Sequence, residues 1–182
     1  MVDTKIFIGG SRHLSRLTPE VKQRLDKIVE SGFTVLIGDA NGADKAVQTY
    51  LAAHQYASVL VFCMAHGLRN NVGGWPTRDI SAPADTRGFA FYVLKDGAMA
   101  KEATHGLMLW DGDSKGTLNN IVNLVKLDKP VFVFFGPTKT FVNVRTREDV
   151  VKVLAKCDRA AVARFEKELD LDRTLHENAR LV

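Results

Sequence analysis

An open, doubly wound α/β fold is what this sequence predicts: a mostly parallel sheet of about five or more strands, with helices on both faces. Three observations carry the prediction. Short apolar runs alternate almost without exception with stretches of helical period. Polar, glycine-bearing turns follow several of the apolar runs, where the next helix begins. A chain of 182 residues, 46% hydrophobic and 25% charged, can bury the core of one such domain and contains neither repeats nor low-complexity tracts.

The elements follow in order. "TKIFIGG" (4–10) reads as a buried strand entering a tight turn. In "LTPEVKQRLDKIVESG", Thr18 can cap a helix, Pro19 fits its first turn and Gly32 closes it, with Val21, Leu25, Ile28 and Val29 as the apolar stripe. "FTVLIG" (33–38) is a second strand, a helix covers about 41–55, and "SVLVFCM" (58–64) is a third strand. The polar segment 65–86, with Arg69, Trp75 and Arg78, reads as a long loop: a lid that stacks on a ligand, or a surface excursion. A helix over 87–104, a strand at "GLMLW" (106–110), a helix at 115–128 and a strand at "PVFVFF" (130–135) come next. "TFVNV" is a short candidate strand, and helical patterns close the chain at 146–156 and 159–170. Residues 1–140 form the ligand-binding domain on this reading, and 141–182 a helical C-terminal extension of it.

Composition narrows the function. No apolar stretch approaches the ~18 residues of a membrane span, so no membrane partner is expected. Lys5 interrupts the first apolar run and no small-residue cleavage pattern follows, which argues against a signal peptide. Cys63 and Cys157 lie far apart and suit reduced thiols, so a cytoplasmic protein is expected. The net charge of +4 is scattered among acids, which argues against nucleic acid as the principal partner and suits an anionic small ligand. The five histidines lack ligand spacing, so neither metal nor cofactor is expected; Asp111 and Asp113 are where a hydrated magnesium could sit.

In a doubly wound sheet the ligand sits at the carboxyl ends of the strands, and four turns there carry unusual chemistry. In "GGSRH", Gly9 and Gly10 allow close approach, while Ser11 and Arg12 suit an anion. In "GDANGADKA", Gly38 and Gly42 are ligand-facing candidates; Asp39, Asn41 or Asp44 could equally cap or complement a helix. On the helix 87–103, Asp96 falls in the middle of an apolar stripe that includes Phe89, Tyr92 and Val93, where a carboxylate must be paired or face a cleft; Lys95 points aside and can reach solvent. The fourth turn, "LWDGDSKGTLNN", brackets Asp113, Ser114 and Lys115 between Gly112 and Gly116 and enters a helix at Thr117. Its amides and hydroxyls suit phosphate or ribose oxygens, and Asp111 could orient a hydroxyl or act in acid–base chemistry.

Together, "IFIGGSR", "GDANGADKA", "KDGAMAKEATHGLMLWDGDSKGTLNN" and "KPVFVF" resemble the Rossmann-like SLOG superfamily over roughly residues 4–136. That group includes cytokinin-activating phosphoribohydrolases, molybdenum-cofactor carrier proteins and nucleotide sensors. The resemblance implies a nucleotide-type ligand with the "GSR" and "SKGT" turns around its phosphate, and a homodimer. The phosphoribohydrolase turn Pro-Gly-Gly-x-Gly-Thr-x-x-Glu is not reproduced, because Asn120 stands where the Glu would be. Asn cannot act as a carboxylate base. The sequence therefore supports a nucleotide-binding sensor or carrier. The alternative is a nucleoside 5′-monophosphate N-glycosidase in which Asp96 and Asp111 supply the carboxylates.

Overall fold

The computed structural model describes residues 3–65 and 67–171. Among them, seven strands form one sheet: β1 (Lys5–Gly10), β2 (Thr34–Ile37), β3 (Val59–Met64), β4 (Thr77–Ile80), β5 (His105–Trp110), β6 (Val131–Phe135) and β7 (Thr140–Val144). Their spatial order is β4-β3-β2-β1-β5-β6-β7. Every neighbouring pair runs parallel except β6 with β7. The fold is α/β and Rossmann-like, as the alternation predicts. The chain builds outward from β1 to β4, then returns to lay β5 on the other side of β1. That reversal leaves a crevice beyond Gly10 and Trp110, where a ligand has room between diverging connections.

The helices are α1 (Pro19–Glu30), α2 (Ala43–Ala53), α3 (Gly88–Glu102), α4 (Lys115–Lys126), α5 (Arg147–Leu154) and α6 (Arg159–Leu169). Strand side chains alternate between two cores. Ile6 and Ile8 of β1 and Leu107 and Leu109 of β5 pack with Val21 and Leu25 of α1 and Val47 and Leu51 of α2. Phe7, Met108 and Trp110 point the other way, against Met99 of α3, Leu118 and Ile121 of α4, and Phe165 of α6. Thr18 caps α1 by accepting the Val21 N–H, with Pro19 next, and Gly32 follows the helix at φ +67°.

Three expectations need correction. The polar segment 65–86 contains β4, a four-residue edge strand whose sequence, Thr-Arg-Asp-Ile, is mostly exposed and carries no apolar rhythm. Charged, short edge strands are how sheets avoid pairing with another chain. The extension expected to be helical from 141 takes in most of β7, the candidate strand at "TFVNV", which turns back antiparallel on β6 before α5 and α6 begin. Its packing through Val150, Val153 and Phe165 makes it part of one core; residues 172–182 lie outside the described residues. Trp75 is no lid: it is 8% exposed, packs in the α1–α2 core and donates its indole N–H to the Tyr56 carbonyl at 2.8 Å.

Candidate functional site

Ser11, at the end of β1, ties three turns together. Its N–H donates to the Leu109 carbonyl at 2.9 Å, and its own carbonyl accepts the Ala43 N–H that opens α2 at 3.0 Å. Its hydroxyl donates to Asp111 Oδ2 at 2.5 Å and accepts the His13 N–H at 3.1 Å. Gly10 is required here because a Cβ would lie 2.5 Å from the Leu109 carbonyl oxygen.

The turn after β5 is organised from within. Asp111 Oδ1 accepts the Asp113 and Ser114 N–H groups at 3.0 and 2.8 Å, so with Ser11 on Oδ2 both oxygens are occupied. Burial alone would raise this carboxyl, but the Ser11 hydroxyl and the two amides outweigh it and hold it below the usual range. Asp113 is engaged by Arg164 at 2.6 Å. The pair considered for magnesium is thus spent on structure. Ser114 caps α4, accepting from the Thr117 N–H at 3.3 Å and the Thr117 hydroxyl at 3.0 Å. That leaves the first-turn amides of Lys115 and Gly116 without an intrahelical partner.

The turn after β2 holds a charge cluster. Asp39 is wholly buried and receives the Arg69 fork, Nη2 at 2.6 Å and Nε at 3.2 Å, together with the Arg69 backbone N–H at 3.0 Å. Lys95 donates to Asp39 at 3.1 Å and lies 3.9 Å from Asp96. Lys95 was expected to reach solvent; it is 3% exposed, because its partner stands 56 residues earlier on the facing turn. Asp39 does not cap α2, whose N-cap is Gly42 with no side-chain bond. Asp44 is buried and accepts the Ala40 N–H at 3.1 Å.

Burial pushes the Asp44 carboxyl from its ordinary 3.8 up to about 6, against the pull of the Lys95 charge. The folded protein therefore holds this proton more tightly than the unfolded chain does. Asp44's contribution to stability is full below about pH 4 and is lost as pH rises through about 6. An Asp44→Asn variant escapes that loss. Relative to the parent it is expected to gain about 3 kcal/mol between roughly pH 4 and pH 7. Urea melts of both proteins at the two pH values check this, and an unchanged difference refutes it.

These three turns and α3 enclose a cavity of about 440 Å³ at the crevice between β1 and β5. Of the residues singled out in the sequence, Gly9, Gly10, Ser11, Arg12, Asp96, Ser114, Gly116 and Thr117 line it. Gly38, Gly42, Asp111 and Gly112 are not in its lining. Gly38 makes room for Asp44 and Lys95, since a Cβ there would meet their polar atoms at 2.5 and 2.8 Å. Gly42 backs directly on the Arg12 main chain, and Gly112 and Asp111 border a second hollow toward Cys157 and Arg164. Asp96 and Asp111 thus do not face each other across one cavity. Burial raises the Asp96 carboxyl, opposed by the Lys95 charge and an Asn120 hydrogen bond.

Asp44, Lys95 and Asn120, not offered as ligand-facing by the sequence, also line the cavity, as do Arg69 of the expected lid and Lys115 of the "SKGT" turn. The strap after β3 sets Arg69 against Asp39. There, Gln48 donates to the Gly38 and Asn70 carbonyls and accepts the Val72 N–H, while Asn70 donates to the Asp39 carbonyl. Tyr92, legible on the same helix face as Asp96, organises the mouth: the Arg12 and Arg69 guanidinium carbons lie 5.6 and 5.0 Å from its ring centre. Among the described residues, no carboxylate forms a salt bridge with Arg12.

No protein-family model matches this sequence, and neither does any curated protein. The chain is similar in structure to DNA processing protein A from Helicobacter pylori, whose single-stranded DNA binding mode has been described. The TM-score is 0.55 at 15% identity, over 93% of this chain and 81% of that one. This overturns the argument against nucleic acid drawn from scattered charge, since a chain of similar fold binds single-stranded DNA. Charge dispersed along a sequence says little about charge gathered by folding, and here Arg12, Arg69 and Lys115 converge on one cavity. No helix among the described residues is long and apolar enough to cross a membrane.

Proposed function

We propose that this chain is a nucleotide-binding protein of the SLOG type, taking a nucleotide unit, free or at the end of a single strand, in the cavity between β1 and β5. One observation carries the reading: Arg12, in no salt bridge among the described residues, and the open first-turn amides of α4 border the same cavity from two strand ends. A helix start and a guanidinium facing one space suit a phosphate group. Asp44, Asp96 and Asn120 lie further along the lining and suit hydroxyl or amino donors of the remaining nucleoside. The single-stranded DNA binding of the structural neighbour supports a ligand of the same chemical kind. Hydrolysis is not part of the proposal, because Asp111 is consumed by its own turn.

Calorimetric titration with a panel of nucleoside 5′-monophosphates tests it. At least one is expected to bind, and Arg12→Ala is expected to weaken that binding about ten- to hundredfold through loss of a charge-assisted contact. If no member of the panel binds the folded protein, or if the variant binds as tightly as the parent, the proposal is wrong.

A further inference from the structure

We infer that the site holds two successive nucleotide units joined by a phosphodiester, the second resting at the rim of the cavity on a platform made by Phe89 and Lys115. The inference builds on the nucleotide reading and extends it to that rim. Phe89 lies one turn before Tyr92 on α3 and borders the cavity, yet its ring is not put away: the residue is 37% exposed. The Lys115 ammonium stands 4.4 Å from the centre of that ring. Lys115 opens α4, so its backbone belongs to the open helix start inside while its side chain reaches the aromatic residue at the mouth. Cavity and platform are therefore continuous. A base stacks on an aromatic face without regard to its identity, and an adjacent cation takes the phosphate that joins it to its neighbour.

Glu168 of α6 opposes that use. Its carboxylate pairs with Lys115 at 2.7 Å, so an incoming phosphate must compete for the ammonium and approach a like charge. The pair is partly exposed, and exposed pairs of this kind are weak. A phosphodiester can displace it, and removing the carboxylate makes the second unit bind better.

The test uses the full chain and 5′-phosphorylated mono-, di- and octanucleotides carrying whichever base the monophosphate panel prefers. The dinucleotide is expected to bind about tenfold more tightly than the mononucleotide. Phe89→Ala is expected to bring the ratio of the two affinities close to one. Glu168→Gln acts oppositely, raising dinucleotide affinity severalfold and widening the ratio of the two affinities. An octanucleotide tighter again identifies a strand as the ligand, and one no tighter identifies a free dinucleotide; either agrees with the inference. Equal affinity for one and two units in the parent overturns it, as does a ratio that survives Phe89→Ala. Failure of the mononucleotide itself to bind refutes the nucleotide reading instead.

Discussion

An Asp39→Ala variant is expected to lose about 3–5 kcal/mol of folding stability, read as a lower midpoint in urea with an unchanged slope. Asp39 has no exposure at all and answers two cations at once, the Arg69 fork and the Lys95 ammonium. The attraction between buried charges roughly repays the cost of dehydrating them, so the intact cluster adds little. Breaking it is different, because Lys95 then keeps its burial and loses its nearest counter-charge, with Asp96 at 3.9 Å and the Asp44 carboxyl, its pKa raised by burial, as poorer substitutes. Arg69 loses both its partner and the acceptor of its main-chain N–H. A second change, Lys95→Met, removes the stranded ammonium and is expected to restore part of the stability. Recovery in the double variant distinguishes an uncompensated charge from simple loss of packing. A loss below about 1 kcal/mol contradicts the account.

Gly42→Ala is the second large effect. Gly42 sits at φ +81° and ψ −126°, a conformation open to glycine and strained for anything with a Cβ. The added carbon would also lie 2.3 to 2.4 Å from the Arg12 main chain, where no flexible side chain can yield. Strain and overlap of about 1–3 kcal/mol each combine to about 2–6 kcal/mol, a fall of roughly 10 °C in Tm for a chain of this size. Gly116→Ala supplies the contrast. Its Cβ would meet nothing within 4 Å and its backbone is helical, so the fold is expected to survive unchanged. Any loss of phosphate binding in that variant then reports the approach of ligand to backbone. Equal melting temperatures for Gly42→Ala and the parent would refute the steric argument.

Much of the fold was legible because its signals are local. Thr18 before Pro19 and the apolar stripe of α1 act within a few residues, and each appears where the spacing predicts. Edge strand β4 was not legible, since an exposed four-residue strand buries too little to leave a pattern. The site was half legible for the same reason. The glycine turns and Asp96 announce themselves in short stretches. The partnership of Asp39, Arg69 and Lys95 spans two separate connections and a helix, so Lys95 read as a solvent residue and Arg69 as part of a lid or surface loop. Asp111 carried the strongest local signal and turned out to serve its own turn, because a carboxylate before a helix start can satisfy amides as readily as it can meet a ligand.

The strap after β3 has a kinetic consequence. Arg69 is set in place by Asp39, and its neighbours by Gln48 and by the mutual bonds of Asn71 and Trp75. No segment has to settle over an arriving molecule before the guanidinium can meet it. For the nucleotide proposed above, arrival would then be governed by diffusion and by the pull of the basic mouth, and differences between such ligands would be written in how slowly each one departs.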